Sequence, residues 1–404
     1  MSATPRAGTP STAASSSRLL GGKASRWIGI ILLIVAIVIF FSIANDDWFS
    51  IANYTLIAAI AAISLNVLSG YTGQISLGIA FFMAIGAYTS AWLGGNIPTS
   101  SFDPLGLGLP FIIWLPAAGI VAALAGALIG PTALRLKGFY LGIVTLALIF
   151  IGQYLFFNVR SVTGGPQGRT FPVPAIGDAV FSQQNSYFGI ALTSGQQYFL
   201  LILIVLVLVA VFVYNVVRTR AGRAFQAVRD NEIGASIMGV NLFEAKMGSF
   251  ILSSFIAGIA GALFASYSQY IIPDYWSLAL SIQFVAAIII GGVASVWGSI
   301  LGAAFVFGLP LIIDHFNLLP VASGSGMISS GDLNAFIYGL LTIVFLLFEP
   351  GGVIGLARRI QGLNRRFNTR RDEGGEPAEI TDLPTSAESQ VDPDGSTITK
   401  GESA

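Results

Sequence analysis

Asn66, Gln74 and Ser76 are uncharged hydrogen-bonding side chains set in an apolar run, Asn66-Val-Leu-Ser-Gly-Tyr-Thr-Gly-Gln-Ile-Ser-Leu-Gly78. They offer hydrogen bonds without ionising. Gly70 and Gly73 allow a turn, and Gly78 closes the segment. Irregular backbone at membrane depth is tolerated only where it is buried in protein or lines a wet cavity. A helix N-terminus near Gln74 would add free N–H groups and a partial positive charge. Gly291-Gly292-Val-Ala-Ser-Val-Trp-Gly298 interrupts the second half in a similar way. The two segments align weakly at a constant offset (286 − 61 = 225), with Ala61-Ala62-Ile63 against Ala286-Ala287-Ile288, Gly73 against Gly298 and Ile75 against Ile300. Interrupted apolar segments in matching halves point to an internal repeat around a transport pathway. The plainer reading is that the glycines let helices pack closely.

A second region carries charge. Arg218 to Lys246 holds eight charged residues in 29, inside a chain that is 54% hydrophobic and only 10% charged. Gly222 and Arg223 precede Ala224, Phe225 and Val228, an apolar face, while Arg223, Arg229 and Asp230 mark a polar side. Asp230 or Asn231 is placed to cap a second short helix containing Glu232, Ala235, Ile237 and Met238 and ended by Gly239. Two short amphipathic helices make a compact plug suited to a groove in a soluble partner. The alternative, an interfacial helix on lipid, has too balanced a charge mix and too short an apolar stripe.

Other chemistry is excluded. The chain has no cysteine and one histidine, His315, so disulfides, thiolate catalysis and a histidine metal site are not expected. No ionisable residue lies deep inside a span, which argues against proton coupling. No G-x-x-x-x-G-K-[ST] loop occurs, so ATP is not expected to bind here by that route. No Ser/His/Asp or paired-carboxylate constellation suggests an enzyme. Ser161 to Gly168 carries Thr163, Gly164 and Gly165, a turn by composition, with a gate or a docking point as the functional alternative.

Ten candidate spans position these residues: 27–44, 49–68, 75–93, 109–134, 138–157, 197–217, 247–272, 278–290, 298–313 and 334–348. The fold class is therefore all-α and polytopic, with short and broken helices. The first span is read as retained rather than as a signal peptide, because its apolar run is too long. With the N-terminus inside, 18 of the 20 basic residues fall on inner segments and only Arg160 and Arg169 stay outside. That topology puts the 218–246 loop and both termini in the cytoplasm. Residues 1–26 and 358–404 read as disordered tails around a membrane domain at 27–357, their bases attracted to anionic lipid.

Five ordered motifs resemble the branched-chain amino acid ABC transporter permeases, of the M-subunit type in leucine/isoleucine/valine uptake systems. They are Leu65–Ala91, Arg135–Leu148, Thr163–Gly168, Gly222–Lys246 and Ile289–Ala303. The resemblance covers nearly all of 27–357 and implies an ABC importer permease fold in the cell (inner) membrane. It implies a half-pore paired with a second homologous permease, two cytoplasmic ATPase subunits holding ATP and magnesium, and an extracytoplasmic substrate-binding protein. It brings no cofactor to this chain. Glu232, Ala235 and Gly239 resemble the importer coupling motif, with Ile233 and Gly234 where two alanines are usual. Ile79 stands where the family has a histidine. Urea and short-chain amide permeases share the architecture and are the alternative substrate class. An ion-driven secondary transporter and a non-transporting scaffold are further alternatives, and both leave the central loop or the resemblance without an explanation.

Overall fold

The computed structural model describes residues 39–95 apart from 43, and 106–315 apart from 134, 136–137, 177–178, 182–183 and 188–189, with isolated positions at 339, 340, 343, 347 and 352. Both tails, most of the expected first span and nearly all of the tenth lie outside the described residues.

A backbone in hydrocarbon has to satisfy its own N–H and C=O groups, so the charge-free runs become helices. These are α1 (Asp46–Leu65), prolonged by a π-helical turn at Asn66–Tyr71, α2 (Ile79–Gly94), α3 (Phe111–Ala133), α4 (Phe139–Asn158) and α5 (Ser194–Arg218). Two short helices follow, α6 (Arg220–Asp230) and α7 (Glu232–Ile237), then α8 (Leu242–Ser268), α9 (Leu278–Gly291) and α10 (Val296–Ala303). A second π-helical turn, Ala304–Gly308, leads into α11 (Leu309–His315). Among the described residues, seven helical stretches are long and apolar enough to cross a membrane, and α2 is a shorter apolar helix. Eight (7 + 1) of the ten expected spans therefore fall on described helices.

Two spans differ from expectation by four residues or more at an end. The third span starts at Ile79, not Ile75, because residues 73–78 leave the helix at Gly73, whose φ is +73°. The seventh runs from Leu242 to Ser268 rather than 247 to 272. Its Asn241 cap starts it early, and Gln269, at φ +59°, turns the chain out of it into a strand.

α1 and α8 form the centre. Their apolar windows are 72% and 67% buried, against 22% for α5, which exposes Ile204, Val207, Leu208 and Val211 as a hydrocarbon-facing helix does. α8 packs on α1, α2 and α3, while α1 also meets α5, α9 and α10. Contact between α2 and α8 is backbone to backbone: a Cβ at Gly86 would stand 2.1 Å from the Gly258 oxygen. Small residues permit that approach where hydrophobic association between helices is lost to lipid.

The spans are helical, but the connection after α4 adds three antiparallel ribbons. β1 (Arg169–Thr170) pairs with β6 (Tyr270–Ile271), β2 (Ala175–Ile176) with β3 (Ala179–Val180), and β4 (Asn185–Tyr187) with β5 (Ile190–Leu192). The first ribbon ties the end of α4 to the end of α8.

Candidate functional site

The charged loop folds as a helix pair with its own small core. α6 turns tightly off α5, since a Cβ at Gly222 would meet the Val217 oxygen at 2.2 Å. Phe225 and Val228 of α6 pack on Ala235 and Ala245, leaving Arg223, Arg229 and Asp230 exposed. Asn231 caps α7, its Oδ1 accepting the Gly234 N–H at 2.9 Å. α7 closes at Gly239, φ +81°, where the Gly239 N–H donates to Ser236 and the Val240 N–H to Ala235. That bond pair is the usual left-handed helix ending. Three apolar side chains stay outside: Ile233, Ile237 and Met238 are 74%, 80% and 86% exposed. Ala235, one of the positions that resemble the coupling motif, is buried in the loop's own core. Glu232 is paired: Lys246 Nζ donates to its Oε1 at 2.6 Å, with the Lys246 side chain only 11% exposed.

The first broken segment rests on this loop. Gln74 Nε2 donates to the Lys246 carbonyl at 3.2 Å and to Ser249 Oγ at 2.8 Å. A Cβ at Gly73 would stand 3.2 Å from Arg229 Cγ, so the turn lies against α6. Ser76 is buried, and its Oγ accepts the Gly78 N–H. The helix N-terminus expected near Gln74 comes later: α2 begins at Ile79, the Gln74 N–H donates to the Leu68 carbonyl, the Leu77 N–H to Thr145 Oγ1 and the Ala80 N–H to Ser281 Oγ.

Asn66 joins the two broken segments. Its Nδ2 donates to the Ser295 carbonyl at 2.9 Å and to Ser299 Oγ at 2.7 Å, and its Oδ1 accepts the Ala294 N–H at 2.8 Å. Ala294 sits at φ +60°, a left-handed conformation unusual for a residue with a Cβ. Gly70 leaves room for this clamp, because a Cβ there would overlap Asn66 Oδ1. Gly291 and Gly298 face each other across the turn between α9 and α10, with Gly292 at φ +120° in it. The two segments expected to be repeats therefore meet, but not as copies. Gly73 lies in non-helical chain, whereas Gly298 is inside α10 and helical.

At the opposite end, Thr163, Gly164 and Gly165 form a fastened turn. The Thr163 hydroxyl reaches the Phe156 and Val159 carbonyls and accepts the Gly165 N–H. Gly164 and Gly165 are left-handed, at φ +76° and +64°. Arg169, just after it, is one of the two bases that the topology leaves on the outer side. It is 5% exposed and donates to the Val162 carbonyl and, at 2.9 Å, to the Ala91 carbonyl in the last turn of α2. A cation there complements the negative helix end. Burial pushes its guanidinium down to about 10, with Tyr88 opposing, so it keeps its charge at neutral pH. The one available signal was its place as one of two bases among otherwise acidic outer loops.

Among the described residues, no group of three His, Asp or Glu could hold a metal ion. The geometry is that of a helical membrane protein with neutral polar breaks and a folded, charged loop. The family described as "Branched-chain amino acid transport system / permease component" matches residues 48–347. The "high-affinity branched-chain amino acid transport system permease protein LivM" of Salmonella typhimurium is 32% identical over 81% of this chain and 74% of its own. The Escherichia coli protein of the same name is also 32% identical, over 81% and 75%. A "probable branched-chain amino acid transport permease protein LivM" of Methanocaldococcus jannaschii is 23% identical over 73% and 89%. No solved structure matches the chain. A match across the whole helical domain, breaks and loop included, places this integral membrane protein in the branched-chain amino acid transport system permease family.

Proposed function

We propose that the chain is one half of the translocation pathway of an ATP-driven importer for branched-chain amino acids in the cell (inner) membrane. A second, homologous permease supplies the other half. Two ATPase subunits dock on the cytoplasmic side, an extracytoplasmic binding protein delivers substrate, and both termini are cytoplasmic. The carrying observation is the exposed apolar trio Ile233, Ile237 and Met238 on a loop with its own core. A cluster of this kind, rimmed by charge, marks a protein contact. Gly222, Arg229, Ala235 and Gly239 shape the plug, Arg223 rims it, and Glu232 ties it through Lys246 to α8 and so to Gln74. ATPase motion thus reaches the broken segment by a short path of named bonds. Asn66 and the glycine turns at 70, 73, 291, 292 and 298 form the part that must rearrange when the path opens inward.

The test replaces Ile237 and Met238 with Asp in the full transporter. Expected are loss of co-purifying ATPase subunits and at least a tenfold drop in ATP-dependent leucine uptake, with membrane levels unchanged. Undiminished uptake with the double variant, or uptake by this chain alone, sinks the proposal.

A further inference from the structure

One cavity lies apart from both the charged loop and the Asn66 clamp. It is a pocket of about 550 Å³ among α1, α2, α8, α9 and the α10–α11 region. Its apolar side is lined by Ile57, Ala58, Met83, Phe284 and Val306, each of them buried. Its mouth is more polar and carries Gln283, which is exposed. A few polar groups at the rim of an apolar pocket of this size are the ordinary form of a small-molecule site.

Two further features point to a ligand. Val306 belongs to the π-helical turn Ala304–Gly308, and such turns interrupt helices mostly at functional positions. The pocket also stops short of the clamp. Asn66 lies eight residues beyond Ala58 on the same helical run (66 − 58 = 8), roughly 12 Å along the axis. The lining residues come from the middle of α1 (Tyr54, Ile57, Ala58), the last turns of α8 (Phe264) and the first half of α9 (Leu280, Gln283, Phe284). A solute held there faces a barrier on the loop side made of the Asn66 bonds to 294–299.

We infer that this pocket receives the aliphatic side chain of the transported amino acid, its charged groups staying at the polar mouth. The inference rests on the import reading above and adds the place and the chemistry of selection. An acyl chain of lipid, or another segment of the assembly, are the competing occupants.

The absence of cysteine from the chain supplies a direct probe. Ala58→Cys places one thiol in the pocket of the complete transporter. Its reaction with a small methanethiosulfonate reagent is expected to slow at least fivefold with leucine and not with glycine. A thiol that reacts equally with and without leucine overturns the inference, and so does one that never reacts because something else fills the space. Ala58→Phe gives a second reading: the leucine-to-valine uptake ratio is expected to fall at least threefold, whereas equal losses count against the pocket. Failure of the import reading shows separately, as wild-type assemblies that take up neither amino acid.

Discussion

The two ends of the helical bundle each keep a basic side chain out of water, and they do so by different means. Near the end of α8, Arg169 spends its guanidinium on backbone carbonyls of α2 and of the turn before it. At the start of α8, Lys246 spends its charge on Glu232, a side chain of a separate short helix. A carbonyl partner is fixed by its own helix, so the Arg169 end is locked. A carboxylate on α7 can move with α7. A lysine–glutamate pair that is buried only on its lysine side therefore makes a joint, and a buried arginine on carbonyls makes a weld.

The largest effect should come from breaking the weld. Arg169→Ala removes charged hydrogen bonds worth about 1.5–3 kcal/mol each and leaves buried carbonyls without partners. We expect a loss of about 3–5 kcal/mol, read as a steep fall in melting temperature and yield in detergent. Arg169→Lys should recover only part, because an ammonium lacks the fork that reaches both carbonyls. A melting temperature unchanged in the alanine variant would erase the contrast between the ends.

The joint should respond differently. Lys246→Met or Glu232→Gln costs about 1.5–3 kcal/mol locally, but its main readout is coupling: ATP hydrolysed per leucine imported should rise several-fold. Swapping the charges, Glu232→Lys with Lys246→Glu, should restore part of the ratio. If the swap rescues nothing while each single variant melts like wild type, the pair is not a joint. The smallest effect belongs to the plug itself. Gly239→Ala meets no neighbour within 4 Å, so its cost is backbone alone, about 1–2 kcal/mol for the left-handed conformation. Melting should fall by a few degrees with coupling intact.

What the sequence made legible was local. Charge-free runs predict helices because desolvated backbone has few options, and eight expected spans lie on such helices. Asn231 and Gly239 were readable as cap and terminator because both act within four residues. The long-range facts were not readable. Gln74 meets Lys246 across 172 residues, and Asn66 meets Ser299 across 233; no periodicity encodes either. The inward side of Ala235 was not readable either, because in a helix of six residues the neighbouring Phe225 and Ala245 decide which side is inside. Arg169 was missed because burial by a distant helix end leaves no mark on its own neighbours in sequence.

α1 and the π-helical turn that prolongs it carry three polar side chains whose partners are made much later by the ribosome. Asn53 waits for Gly195, Ser64 for Ser253, and Asn66 for Ser295, at separations of 142, 189 and 229 residues. Each unsatisfied polar group is costly in hydrocarbon. The central helix is thus among the earliest described segments to be synthesised and among the last to be at ease in the bilayer. Biogenesis has to hold it, at the translocon or against temporary partners, until α8 and α10 insert. Chains arrested before residue 295 should be recognised and degraded, and pulse-chase of truncations in the membrane measures that directly.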